Sequence, residues 1–135
     1  QAQDVAARAL AQWLQGQASV AQVLHPALAG APGHGHWQAL WGRQGLAAGL
    51  FSVVVDARFS SAQVDAFCDA LTLFRLGYSW GGPLSLVMPY QLPAMRSRAT
   101  PHLAHGTVVR FAVGLEDVRD LRADLQQAMD TVFCQ

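Results

Sequence analysis

Apolar and polar positions recur along this chain with two different periods, and the switches between them predict its elements. From Ala2 to Gln15, Val5, Ala9, Leu10, Trp13 and Leu14 return at helical spacing, while Gln3, Asp4, Arg8 and Gln12 take the other side. Gly16 ends that helix. Val20, Val23 and Leu24 predict a short strand, closed at His25-Pro26 because proline has no N–H to give to a ladder. Ala29 to His36, with Gly30, Pro32, Gly33 and Gly35, predicts an irregular connection into a short helix around His36 to Trp41. Ala48 to Asp56 (AGLFSVVVD) is a β-branched and aromatic run bounded by turn residues, which predicts a central strand.

Helical spacing resumes after Ser60 or Ser61, either of which can cap a helix carrying Val64, Phe67, Cys68 and Leu71 on one stripe. Leu73 to Leu76 predicts another strand, Gly77 to Pro83 is too glycine-rich to be regular, and Leu84 to Met88 is extended again. Thr107 to Val113 alternates as a strand, and Gly114 ends it. Leu115, Val118, Leu121, Leu125, Ala128, Met129 and Val132 then trace an amphipathic helix, with Glu116 and Asp117 placed in its first turn, where the helix dipole favours negative charge. No internal repeat interrupts this alternation. It predicts one α/β (α+β two-layer) domain over residues 1–135, with about four short, mainly antiparallel strands and helices packed on one face, where single apolar stripes find a surface.

Composition adds a partner to this picture. The chain is 52% hydrophobic and 13% charged, a thin charge supply for a free-standing soluble domain, so part of its apolar surface is expected to face another domain. Nine basic residues balance nine acidic ones, which speaks against a nucleic-acid or anionic-membrane partner. No apolar run reaches the roughly 18 residues of a membrane span. Cys68 and Cys134 stand in no zinc or disulfide-framework spacing and are expected to be buried or idle. The chain opens on Gln1 inside a helical pattern, which predicts a piece of a longer protein. All nine basic residues are arginines. Any chemistry that needs a lysine amine must borrow it from elsewhere.

Arg110 is the sharpest chemical candidate, since it interrupts Val108-Val109-Arg110-Phe111-Ala112-Val113 where an apolar residue would serve a strand better. Its guanidinium requires an anionic or carbonyl partner, and its fork suits a carboxylate; an exposed place on an edge strand accounts for it equally well. Tyr78-Ser79-Trp80-Gly81-Gly82 combines two aromatic faces, a hydroxyl and glycines that let backbone approach a ligand, and reads otherwise as a tight turn. Ser79 has no positioned base nearby and is not expected to be a nucleophile. His34 and His36 cannot close a metal site by themselves, so no metal is expected. His25, His102 and His105 read as polar loop or capping residues, and Asp117, Asp120 and Asp124 as one solvated side of the last helix.

Several of these segments in order, namely His25-Pro26-Ala27-Leu28, Gly33-His34 before Trp37, Gly49-Leu50-Phe51-Ser52, Leu73-Phe74 with Gly77 to Gly82 and Ser85-Leu86, and Val109-Arg110-Phe111-Ala112-Val113-Gly114-Leu115-Glu116-Asp117-Val118, resemble the C-terminal domain of the Cys/Met-metabolism (trans-sulfuration) enzymes that depend on pyridoxal phosphate. The resemblance covers nearly the whole chain. It implies the small domain of a fold-type I enzyme whose N-terminal large domain, outside these residues, carries the cofactor and the Schiff-base lysine. It further implies that Arg110 holds the substrate α-carboxylate, that Ser79 and Trp80 line the reactive face of the cofactor, and that Tyr78 and Gly81 support that loop. Trp80 points to the branch that releases homocysteine, pyruvate and ammonia from cystathionine by β-elimination; γ-acting relatives and a non-catalytic binding module are the alternatives. A cytoplasmic homotetramer, built as a dimer of dimers, is implied for the whole enzyme, and the isolated chain is expected to be inactive and to hold no cofactor. Relatives place an aromatic residue and a glutamate after the double glycine, where this chain has Pro83-Leu84.

Overall fold

In the computed structural model, which describes residues 1–133, the chain folds as α1 (Ala2–Gln15), β1 (Val20–Leu24), α2 (His34–Trp41), β2 (Leu50–Val55), α3 (Ser61–Ala70), β3 (Arg75–Leu76), β4 (Leu86–Tyr90), α4 (Leu92–Met95), β5 (Val108–Ala112) and α5 (Val118–Val132). Five strands, rather than about four, form one sheet in the order β1-β2-β5-β4-β3. Every pairing is antiparallel except the short parallel contact of β3 with β4.

Register assigns the two faces. Val23, Val53, Val109 and Val87 with Phe51 and Phe111 share one side, since Val23 pairs with Val53, Val53 with Val109, Phe51 with Phe111 and Phe111 with Val87 across neighbouring strands. These residues join the stripes of α1, α3 and α5 in one core, and α5 lies against both other helices. The opposite face carries the row Leu24, Ser52, Arg110, Met88 and, one step along, the row Gln22, Val54, Val108, Tyr90.

Local chemistry explains where the elements begin and end. Ser60 caps α3 in a full capping box with Gln63. The buried stripe of α1 is Ala7, Leu10, Ala11 and Leu14, whereas Val5 is 68% exposed, a correction to the predicted stripe: the two alanines let the helix approach the sheet closely. Asp4, expected on the solvated side, is buried and accepts from Arg8 and from the Ala47 amide at 3.1 Å. Burial raises its pKa, but these hydrogen bonds, led by that of Arg8, outweigh it, and the net shift is downward.

The predicted strand from Leu73 shortens to Arg75–Leu76 because the amides of Thr72, Leu73 and Phe74 are taken by Asp124, 2.8 to 3.2 Å away. Asp124 is 4% exposed, so it does not belong to a solvated side; only Asp117 and Asp120 of that trio face solvent. α5 begins at Val118 with Asp117 as its N-cap, which places Glu116 outside the helix. Arg119 binds Asp117 and pulls its pKa down to about 2. His25 is buried, and its Nδ1 accepts from the Ala27 amide at 3.2 Å, the capping role expected of it. Burial, followed by the charge of Arg8, lowers its pKa and keeps the ring neutral. Cys68 is buried, and Cys134 lies outside the described residues.

Candidate functional site

Arg110 projects from the face opposite the core, flanked in register by Ser52 on β2 and Met88 on β4. The strand that carries it is central, which removes the edge-strand account. Its Nη2 donates to the Tyr78 carbonyl at 2.5 Å and, more weakly, to the Gly77 carbonyl at 3.4 Å. The Tyr90 ring lies 5.7 Å from its Cζ, a cation–π distance. Among the described residues the ion pairs are Arg8 with Asp4 and Arg119 with Asp117, so no carboxylate neutralises Arg110. Nε and Nη1 have no protein acceptor there, which leaves donors of this guanidinium open to an anion.

The structure brings the predicted loop to this arginine. Tyr78 contributes its carbonyl to Arg110 and its ring to Tyr90, with centroids 6.4 Å apart. Ser79 and Trp80 follow on the exposed rim, Trp80 with 66% of its surface free. Gly81 turns the chain at φ +78, a left-handed conformation that glycine adopts without strain. The loop is tied at its far end, where Gln3 donates to the Gly82 carbonyl at 2.8 Å and the Leu115 amide to the Pro83 carbonyl at 2.8 Å.

Ser85 is the anchor behind Pro83-Leu84. It is buried, its amide and hydroxyl donate to the two oxygens of Glu116 at 2.8 and 2.7 Å, and its Oγ accepts from the Gly114 amide at 2.9 Å. A β-carbon on Gly114 would stand 2.3 Å from the Pro83 carbonyl oxygen, so only glycine permits this approach. Sequence reasoning missed Glu116, Ser85 and Tyr90 as parts of the site. Tyr90 was detectable, because the two-residue period of β4 puts it on the face of Met88, whereas the Glu116–Ser85 clasp spans 31 positions and leaves no local signal. His34, which the sequence reading did not assign to the site, meets the Pro26 carbonyl through Nδ1 at 2.7 Å.

The family model described as Cys/Met metabolism PLP-dependent enzyme matches residues 1–130. A cystathionine beta-lyase from Salmonella typhimurium is 40% identical over 119 residues, which cover 86% of this chain and 29% of that protein. An L-alanine/L-glutamate racemase from Wolbachia pipientis is 33% identical over 93% of the chain and 30% of its own length. Among solved structures, the cystathionine gamma synthase of Xanthomonas oryzae, in complex with aminoacrylate and cysteine, superposes with a TM-score of 0.74 at 30% identity, covering 98% of this chain and 34% of that one. The chain therefore spans about a third or less of the length of the relatives it matches.

Proposed function

This chain belongs to the Cys/Met-metabolism PLP-dependent enzymes, and on that premise we propose that it is the substrate-carboxylate domain of a β-eliminating carbon–sulfur lyase that cleaves L-cystathionine. The single observation that carries this reading is Arg110: an uncompensated guanidinium on a sheet face, held at one nitrogen by the Tyr78 carbonyl, with Nε and Nη1 without a protein acceptor. An α-carboxylate supplies the missing charge and matches the fork.

The chain alone does not fit pyridoxal phosphate. It has no lysine to carry the cofactor, and Arg110 is surrounded by carbonyls, aromatic rings and Met88 rather than by a phosphate cradle. The cofactor and its lysine belong to an N-terminal domain of the same protein, and exposed Tyr78, Trp80, Leu84 and Leu115 support a covering surface along this edge. The isolated chain is then inactive, and a homotetramer of the whole enzyme is supported by the resemblance alone. The cofactor supplies the electron sink for chemistry at Cα. This domain supplies position: Arg110 fixes the carboxylate, and Tyr78 to Gly81, braced through Gly82 and Ser85, set the wall that Ser79 and Trp80 present to the reacting groups.

The relatives span more than one reaction, so product identity is the deciding test. Full-length protein supplied with pyridoxal phosphate and L-cystathionine should release pyruvate. Release of 2-oxobutyrate would assign it to the γ-acting relatives, and conversion of L-alanine to its enantiomer without keto-acid release would assign it to the racemases.

A further inference from the structure

A cavity of about 450 Å³ opens between α4 and the segment that leads into β5, lined among others by Arg96, Ser97, Arg98, Thr100, His105 and Val108. Its composition is one-sided. Two guanidiniums and an imidazole line it, and no aspartate or glutamate does. Among the described residues, the side chains of Arg96, Arg98 and His105 have no ion-pair or hydrogen-bond partner, so the charge of the two guanidiniums is uncompensated, as it is at Arg110. The wall is built rather than loose. Gln22 on β1 donates to the His102 carbonyl at 3.1 Å and accepts from the Ala104 amide at 2.8 Å. Gly106 presses its backbone so close to Val55 that a β-carbon would collide with the Val55 carbonyl oxygen.

Position gives this cavity its meaning. Val108, one of its walls, lies two residues from Arg110 on the same strand and the same face, a step of about 6.8 Å along an antiparallel strand. Tyr90 pairs with Val108 in register and its ring lies 5.7 Å from the Arg110 Cζ, so the cavity wall and Arg110 share this neighbour. A molecule bound through one carboxylate at Arg110 and elongated along β5 would extend toward the cavity that Arg96 and Arg98 line.

We propose that this cavity is an oxyanion subsite that takes the distal carboxylate of a dicarboxylic thioether amino acid, and that it thereby selects such substrates over monocarboxylic S-alkyl cysteines. The inference rests on the β-elimination reading above. Arg96 and Arg98 attract and orient the distal carboxylate, and Ser97 and Thr100 add neutral donors. No bond changes there; the subsite places the leaving half of the substrate while chemistry proceeds beside Arg110.

The test uses the full-length holoenzyme. Pyruvate release is measured from L-cystathionine and from S-propyl-L-cysteine, which keeps the α-carboxylate and the thioether and lacks the distal carboxylate. In Arg96→Gln, Arg98→Gln and the double variant, the ratio of kcat/KM for cystathionine to that for S-propyl-cysteine should fall, about tenfold in the double variant, carried mainly by KM. Arg98→Lys should recover part of the ratio in a salt-sensitive manner. A ratio within twofold of wild type in the double variant overturns the subsite. Wild-type holoenzyme that releases pyruvate from neither compound overturns the elimination reading instead, so the two failures are distinguishable.

Discussion

Arg110 and Tyr78 are joined by a hydrogen bond of 2.5 Å from a guanidinium nitrogen to a backbone carbonyl, across 32 positions of sequence. The residue proposed to hold the substrate therefore also holds the loop proposed to wall the substrate in. Replacing Arg110 removes both.

This double role sets the first prediction. Arg110→Ala in the full-length enzyme should reduce kcat/KM for L-cystathionine by about a hundredfold, on the order of 2.7 kcal/mol, with KM rising because the carboxylate contact already exists in the ground state. Arg110→Lys keeps the charge but loses the fork, and should recover only part of the deficit. Steady-state kinetics of both variants checks this; an unchanged KM in the alanine variant would remove Arg110 from substrate binding.

The clasp between Glu116 and Ser85 gives the second. Both carboxylate oxygens accept from Ser85, and an amide at this position offers only one acceptor atom. Glu116→Gln should destabilise the protein by about 1–3 kcal/mol, the cost of leaving one donor unsatisfied. It should also raise KM, because Pro83-Leu84 and the loop before them lose their anchor. Urea unfolding and kinetics measured on the same variant report the two effects, and a stability loss without any change in KM would separate the clasp from the site.

How far the sequence went is clearest at particular residues. Helices and central strands were legible because Val53 and Phe111, or Leu121 and Leu125, repeat at the period of their element and bury together. Arg110 and the Tyr78 to Gly82 loop were legible as candidates because each breaks its local pattern. What joins them was not, since a side chain reaching a carbonyl 32 positions away leaves no periodic trace. The same applies to Asp124, which its helical spacing places beside Asp117 and Asp120, whereas its partners lie 50 to 52 positions upstream. Local pattern reports faces, and long-range polar contacts decide which polar residues stay in water.

Cys68 supplies a third prediction. Burial, aided by the charges of Asp65 and Asp69, pushes its thiol up to about 12, so almost no thiolate exists near neutrality. In a Cys134→Ser background, a disulfide reagent such as dithionitrobenzoate should modify Cys68 only as fast as the protein unfolds. Rapid modification in the native state would contradict its burial.

Asp124 supplies the fourth, through its bonds to a segment far away in sequence. Oδ1 accepts from the Thr72 amide at 2.8 Å and the Thr72 hydroxyl at 2.9 Å, and Oδ2 from the amides of Leu73 at 2.8 Å and Phe74 at 3.2 Å. One carboxylate thus satisfies three backbone donors that neither α3 nor β3 reaches, and fastens α5 to the chain entering β3. Asp124→Asn turns one of its two faces from acceptor to donor, against N–H groups that cannot move away. A loss of about 3 kcal/mol is expected. Burial raises the pKa of Asp124, but the amide hydrogen bonds outweigh it and leave the folded-state value below the ordinary 3.8. A depressed folded-state value means that the unfolded chain binds the proton first as pH falls. The contribution is therefore fully present above roughly pH 4 and is lost as pH drops through the folded-state pKa. Asp4 and Asp117 are shifted in the same direction, so wild-type stability alone cannot isolate Asp124. The difference between wild type and Asp124→Asn can, because the other carboxylates cancel in it. Measured by urea unfolding from pH 7 down to pH 3, that difference should hold steady to about pH 4 and shrink below it. A difference that stays constant or widens over the acid range would show that the carboxylate charge is not what binds Thr72, Leu73 and Phe74.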